Sequence, residues 1–128
     1  MDYTIKKSSI PNSGKGAWTN VDIPKGTNIG YYKGKKLSLQ QYNNLKNEDY
    51  VWELSSPKGP FYVDGRVKSK SNWLRYVNHK PGSKANLEPY QYGGKMWYRA
   101  RKNIKEGDEL FIDYGDEYWV NKKSNHFG

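Results

Sequence analysis

Apolar and polar positions alternate along this chain in short runs, and few runs hold a helical period. Tyr3 and Ile5 alternate with polar neighbours and predict a short edge strand within Met1–Pro11. Asn12-Ser13-Gly14-Lys15-Gly16 is a turn cluster, after which Ala17–Val21 resumes an extended pattern. Asp22–Gly26 predicts a turn into a strand over Thr27–Lys33, with Ile29 and Tyr31 on one face. Ser38 suits the N-cap of a helix that carries Leu39, Tyr42 and Leu45 on one face and ends near Asn47. Tyr50–Leu54 and Phe61–Val63 read as short strands, and Asp64-Gly65 is a hairpin-type turn signal. Ser71–Val77 predicts a helical turn with Trp73, Leu74 and Val77 inward, and Asn78–Asn86 an irregular stretch held by Pro81 and Gly82. Gly93-Gly94 turns into a strand over Lys95–Arg101. In the last strand, Glu109–Tyr114, Leu110 and Ile112 alternate with Phe111 and Asp113 before Gly115 permits a bend. Ile23-x-x-Gly26 and Ile104-x-x-Gly107 each lead into a strand, two similar units too short for a repeat architecture. The pattern predicts one β-rich domain over residues 1–128, with one or two short helices and no internal boundary.

Composition sharpens this picture in three places. Only 34% of residues are hydrophobic but 16% are aromatic, so the core must lean on Tyr and Trp. The chain has no cysteine, which excludes disulfides, cysteine-based zinc sites and thiol chemistry and fits a reducing, intracellular compartment. Met1–Ile10 is too polar for a secretory signal, and no apolar run approaches the roughly 20 residues of a membrane span, so no membrane partner is expected. A net charge of +9 favours polyanions such as nucleic acid or chromatin. Lys33-Gly34-Lys35-Lys36, Arg99-Ala100-Arg101-Lys102 and Lys122-Lys123 are its local clusters, each equally readable as a solvated face.

Candidate chemistry comes from patterns in a fixed order. Gly14-Lys15-Gly16-Ala17-Trp18 is followed by Tyr32-Lys33-Gly34, then Arg75-Tyr76-Val77-Asn78-His79, then Glu109-Leu110-x-x-Asp113-Tyr114-Gly115. This series, covering about residues 12–119, resembles the SET domain of protein lysine methyltransferases. Tyr62-Val63-Asp64-Gly65, Asn72–Asn78 and Tyr114-Gly115-Asp116-Glu117-Tyr118 are most similar to the PR/SET subclass. The small size and the Lys-, Asn- and Tyr-rich composition suit the stand-alone SET proteins of large DNA viruses.

The resemblance implies a SET fold: several small curved sheets with a threaded C-terminal segment. It implies S-adenosylmethionine as cofactor, no metal, and a histone-tail lysine or another protein lysine as substrate. By the resemblance Tyr114 is the catalytic tyrosine, and Tyr98 and Tyr32 line the lysine channel. Lys15, Gly16 and Ala17 would cradle the cofactor, with glycine allowing close approach. Tyr50, Arg75, Asn78, His79 and Trp119 would contact it, and the tail with Tyr118, Trp119 and Phe127 would close that end. Arg75 could equally brace a loop, His79 be a satisfied structural histidine, and Tyr50 and Tyr98 be plain strand aromatics. Ile112, two positions before Tyr114, stands where many members carry Phe or Tyr; it cannot hold a water by hydrogen bonding, so di- or trimethyl product is expected. Lys80-Pro81-Gly82-Ser83 departs from the family's usual sequence after Asn-His, and Asn86 is the candidate for its later asparagine. Nuclear or host-nuclear localisation would follow from a histone substrate, nucleosome contact from the basic surface, and a homodimer is left open. The other readings are a basic nucleic-acid-binding domain or a methyl-lysine reader, each without catalysis; cofactor binding separates them from an enzyme.

Overall fold

Tyr3–Lys7 (β1), in the predicted edge strand, and Lys15–Thr19 (β2) pair antiparallel with Ile5 opposite Ala17. The computed structural model describes residues 1–46 and 49–113. Further along are Asn28–Tyr31 (β3), Lys35–Leu37 (β4), Leu39–Asn43 (α1), Val51–Leu54 (β5) and Phe61–Asp64 (β6). Asn78–His79 (β7), Leu87–Tyr92 (β8), Lys95–Ala100 (β9) and Phe111–Ile112 (β10) complete the described elements, with 3₁₀ turns between β6 and β8. Besides the β1–β2 pair, the strands build a three-stranded sheet, β4-β6-β5, and a five-stranded one, β3-β9-β8-β10-β7. The architecture is the expected one: mostly β, several small sheets and a short helix.

The helix starts where Ser38 predicts. The Ser38 hydroxyl accepts from the Gln41 amide at 3.2 Å, and the Ser38 amide donates to Gln41 Oε1 at 2.9 Å, a reciprocal capping box. Tyr42 and Leu45 pack on Leu37, Val51 and Tyr62, but Leu39 is 51% exposed, because the helix is a single turn and its first residue overhangs the sheet. It ends at Asn43, with Asn44 as cap, before the predicted Asn47, which lies outside the described residues.

Three differences from the sequence pattern have local causes. A register shift between Asn28 and Gly30 breaks the alternation of β3, so Ile29 and Tyr32 point inward and Tyr31 does not. Strand β8 was masked by Pro89, which usually argues against a strand; β10 pairs with β8 only at Leu87, so Pro89 stands opposite Tyr98 with no neighbour on its other side. Asp64-Gly65 is not a hairpin turn, since β6 is the central strand of its sheet and its partners lie earlier in the chain.

Leu110, Phe111 and Ile112 are all buried, so the alternation of Leu110 and Ile112 with Phe111 does not divide a core face from a solvent face. The reason is the position of β10, parallel to both β7 and β8 and inserted between them. The 80–86 connection from β7 to β8 therefore crosses β10, and the Lys80 amide donates to the Ile112 carbonyl at 3.2 Å. The Gly82 amide donates to Asp113 Oδ2 at 2.9 Å. Asn86 fastens the far end: its Nδ2 donates to the Glu109 carbonyl and its Oδ1 accepts from the Phe111 amide, each at 2.9 Å. The two similar Ile-x-x-Gly units meet face to face, with Ile23 and Ile104 exchanging two amide-to-carbonyl bonds of 2.8 Å.

Candidate active site

Two of the three tyrosines expected in a lysine channel meet in the core. Tyr98, on β9, is fully buried, and Tyr32 follows the irregular β3. Their ring centroids lie 6.0 Å apart in a stacked arrangement, and Trp52 of β5 stands edge-on to both. Trp52 Nε1 donates to the Tyr98 hydroxyl at 2.8 Å, and the Tyr32 hydroxyl donates to the Tyr50 carbonyl at 2.7 Å. Trp52 had no role in the sequence reading; its place next to Val51 in a strand aromatic run was the available signal. Ile112 belongs to the same core cluster and has no exposed surface. Both glycines near Tyr32 are required by contact: a Cβ on Gly65 would overlap the Tyr32 hydroxyl, and one on Gly34 the Asp64 carbonyl.

The expected cofactor residues converge on a second set of contacts. Asn78 Nδ2 donates to the Lys15 carbonyl at 3.1 Å, so the G-x-G and N-H motifs touch directly. Ala17 is fully buried in the core, and its carbonyl accepts from the Leu110 amide at 2.8 Å. Gly16 needs to be glycine for a reason other than cofactor approach: a Cβ there would overlap the carboxylate of Glu109. Glu109 is buried and accepts from the Ser8 hydroxyl, the Ser9 amide and the Ser9 hydroxyl at 2.7–2.8 Å, tying the N-terminal strand beneath the site. Arg75 does brace a loop. Its Nε donates to the Gly65 carbonyl at 2.8 Å and Nη2 to the Arg66 carbonyl at 3.0 Å, while the guanidinium covers the rings of Tyr50 and Tyr76. Tyr114 and Trp119, with Tyr118 and Phe127, lie outside the described residues.

The family model for the PR domain of PR domain zinc finger protein 2 matches residues 3–124. The chain belongs to the PR domain family. Histone-lysine N-methyltransferase set-17 of Caenorhabditis elegans is 36% identical over 91% of this PR domain and 42% of its own length. The PR domain thus spans less than half of that relative. The methyltransferase domain of human PR domain-containing protein 2 superposes with a TM-score of 0.78, at 32% identity over 89% of this chain and 77% of that one. A ctPRC2 structure in an autoinhibited conformation bound to S-adenosylmethionine gives a TM-score of 0.75 over 96% of this chain and 17% of that one; at 24% identity it shows the fold alone.

Several cations act on the Tyr76 hydroxyl. Burial acts to raise the pKa of the Tyr76 hydroxyl, but the hydrogen bond with Arg75 and the cations Lys68, Arg75 and Lys15 outweigh it, and the net shift is downward. Positive charge therefore converges at this edge of the site. Among the described residues, no three His, Cys, Asp or Glu side chains gather as a metal would require, and no helix is long and apolar enough to cross a membrane.

His79 is half-buried in β7. Burial pulls its pKa from 6.5 down to about 4, against the opposing pull of Asp113 and a hydrogen bond to the Ile112 backbone. The imidazole is neutral at neutral pH. The unfolded chain takes up this proton near pH 6.5 and the folded PR domain only near pH 4, so stability is full above that window and falls as the pH drops through it. Urea midpoints between about pH 7 and pH 4.5 should fall more steeply for the wild type than for His79→Asn. Equal slopes would show that His79 is not the group responsible.

Proposed function

We propose that this PR domain is an S-adenosylmethionine-dependent protein lysine N-methyltransferase whose substrate is a histone-tail lysine. The observation that carries the proposal is the pairing of β7 with β10. It sets Asn78 opposite Phe111 and His79 opposite Ile112, so the cofactor motif lies beside the strand that leads into Tyr114. The residues present fit the cofactor. Lys15, Lys68 and Arg75 offer positive charge for its carboxylate, and the half-buried Asn78 offers both a donor and an acceptor. When bound, S-adenosylmethionine supplies an activated methyl group, and in-line transfer to an amine needs no metal and no covalent enzyme intermediate. The names of set-17 and of the human methyltransferase domain support the same chemistry.

The chain's own residues then have three tasks. Lys15, Asn78 and His79 hold the cofactor end, with Arg75 bracing the loop beside it and adding charge, and Tyr50 and Trp119 are assigned as further cofactor contacts. Tyr32 and Tyr98 form aromatic walls that desolvate the substrate ammonium, which lowers its pKa and yields the neutral nucleophile. The same walls attract methylated ammonium groups by cation–π contact. Tyr114 orients the nitrogen toward the methyl group, and such alignment can account for about 7–11 kcal/mol of a barrier. A nuclear location and contact with nucleosomes through the basic surface belong to this proposal.

Labelled S-adenosylmethionine incubated with histones and histone-tail peptides tests the activity, and mass spectrometry of the exhausted reaction tests the product. Dimethyl-lysine is expected at least, because Ile112 has no hydroxyl to retain a water beside the nitrogen. No transfer by a protein that binds the cofactor would overturn the enzymatic reading. Monomethyl product alone would show that Ile112 does not govern the channel. Wild-type product is a cleaner readout than Ile112→Tyr, which overfills a closed core at a cost of about 1–3 kcal/mol.

A further inference from the structure

The register shift in β3 that turns Tyr32 inward leaves Tyr31 half-buried on the other side, beside a cleft that also takes residues from β4 and β6, β3 and β4 being outer strands of their sheets. Lys33, Lys36 and Lys95 line this open cleft of about 420 Å³, whose walls include Tyr31, Phe61 and Val63. All three lysines are exposed. Among the described residues no carboxylate lines the cleft, and none of the three lysines is ion-paired. Two of the ammonium groups rest instead on aromatic rings: Lys36 Nζ lies 4.6 Å from the Phe61 centroid, and Lys95 Nζ 4.3 Å from that of Tyr31.

We propose that this cleft binds a single-stranded nucleic-acid segment, with its phosphates on Lys33, Lys36 and Lys95 and its bases on Tyr31 and Phe61. Three cations converging on one groove, with no carboxylate partner among the described residues, call for a polyanion. The aromatic rings decide which one. A phosphate that draws Lys36 or Lys95 off its ring uncovers a π-face for a base, so one displacement provides both the ionic and the stacking contact. An acidic peptide would meet the lysines and leave those faces without a planar partner. A duplex would present phosphates with its bases already stacked. The cleft adjoins the tyrosine cluster through Tyr32 and uses none of the cofactor residues, so strand binding stands or falls apart from methyl transfer.

Fluorescence anisotropy with a short labelled single strand, titrated in about 50–200 mM salt, tests the proposal. The wild type should bind with a linear log affinity–log salt dependence. Lys33→Ala/Lys36→Ala/Lys95→Ala should flatten that slope by about 2, since each neutralised phosphate of a single strand contributes about 0.7. Phe61→Leu should weaken binding at least about fivefold with the slope unchanged. Melting temperatures and S-adenosylmethionine affinity, measured for each variant, separate loss of the cleft from loss of the fold. The proposal is overturned if the triple variant keeps the wild-type slope. It is also overturned if a duplex of the same sequence, or polyglutamate, binds as tightly as the single strand.

Discussion

Tyr114→Phe is expected to lower the rate of methyl transfer by about 10²–10³, the usual loss for one preorganised hydroxyl acting at the reacting atoms. The affinity for S-adenosylmethionine should stay within a few fold. The hydroxyl is assigned to the aligned reactants rather than to holding the cofactor, so turnover and kcat/KM should fall together. The residues just before Tyr114 give this substitution its meaning. Ile112 is buried between two strands and the Asp113 carboxylate accepts from the Gly82 amide, and neither contact involves the phenol that the substitution removes. Calorimetry for binding and single-turnover transfer for rate separate the two effects. Wild-type turnover in Tyr114→Phe would show that the last motif has been assigned the wrong role.

Asn86→Ala should cost roughly 2–6 kcal/mol of stability. It leaves two buried backbone groups, the Glu109 carbonyl and the Phe111 amide, without the partners they have at 2.9 Å, and each such loss costs about 1–3 kcal/mol. Denaturant unfolding with an unchanged slope measures it directly. Activity should fall as well, because the released segment carries Ile112 and leads to Tyr114. A loss below about 1 kcal/mol would mean that neighbouring groups or water replace the asparagine, and that it does not clamp β10.

How much of this was legible in the sequence depends on the range of each interaction. The Ser38–Gln41 cap is local, and Ser38 with the three-residue spacing of Leu39, Tyr42 and Leu45 marks the helix start correctly. The motifs were legible as spacings, and so was the family. The partner of Gly16 was not: the carboxylate that forbids a side chain there also binds Ser8, 101 positions from it in the chain, and no local pattern reports such a meeting. Simple alternation puts Tyr31 on the face of Ile29, and the one-residue irregularity in β3 inverts it. The burial of Phe111 beside Leu110 and Ile112 was not legible, because the crossing of β10 by the 80–86 connection is a long-range event that local alternation does not report. For Arg75 the sequence left two roles open, and the hydrogen bonds to Gly65 and Arg66 favour the brace.

The place of β10 between β7 and β8 also fixes an order in time. A ribosome delivers residues 78–92 well before residues 109–113, so both flanking strands emerge while the gap between them has nothing to fill it. If β7 and β8 zipped together early, the last strand would be shut out and the mispaired sheet would have to reopen. The productive route keeps the 80–86 arch loose until the C-terminal segment arrives, and Asn86 can close on Glu109 and Phe111 only then. Pairings this distant along the chain form slowly. A nascent chain halted short of Glu109 would lack the strand that joins β7 to β8 in the five-stranded sheet.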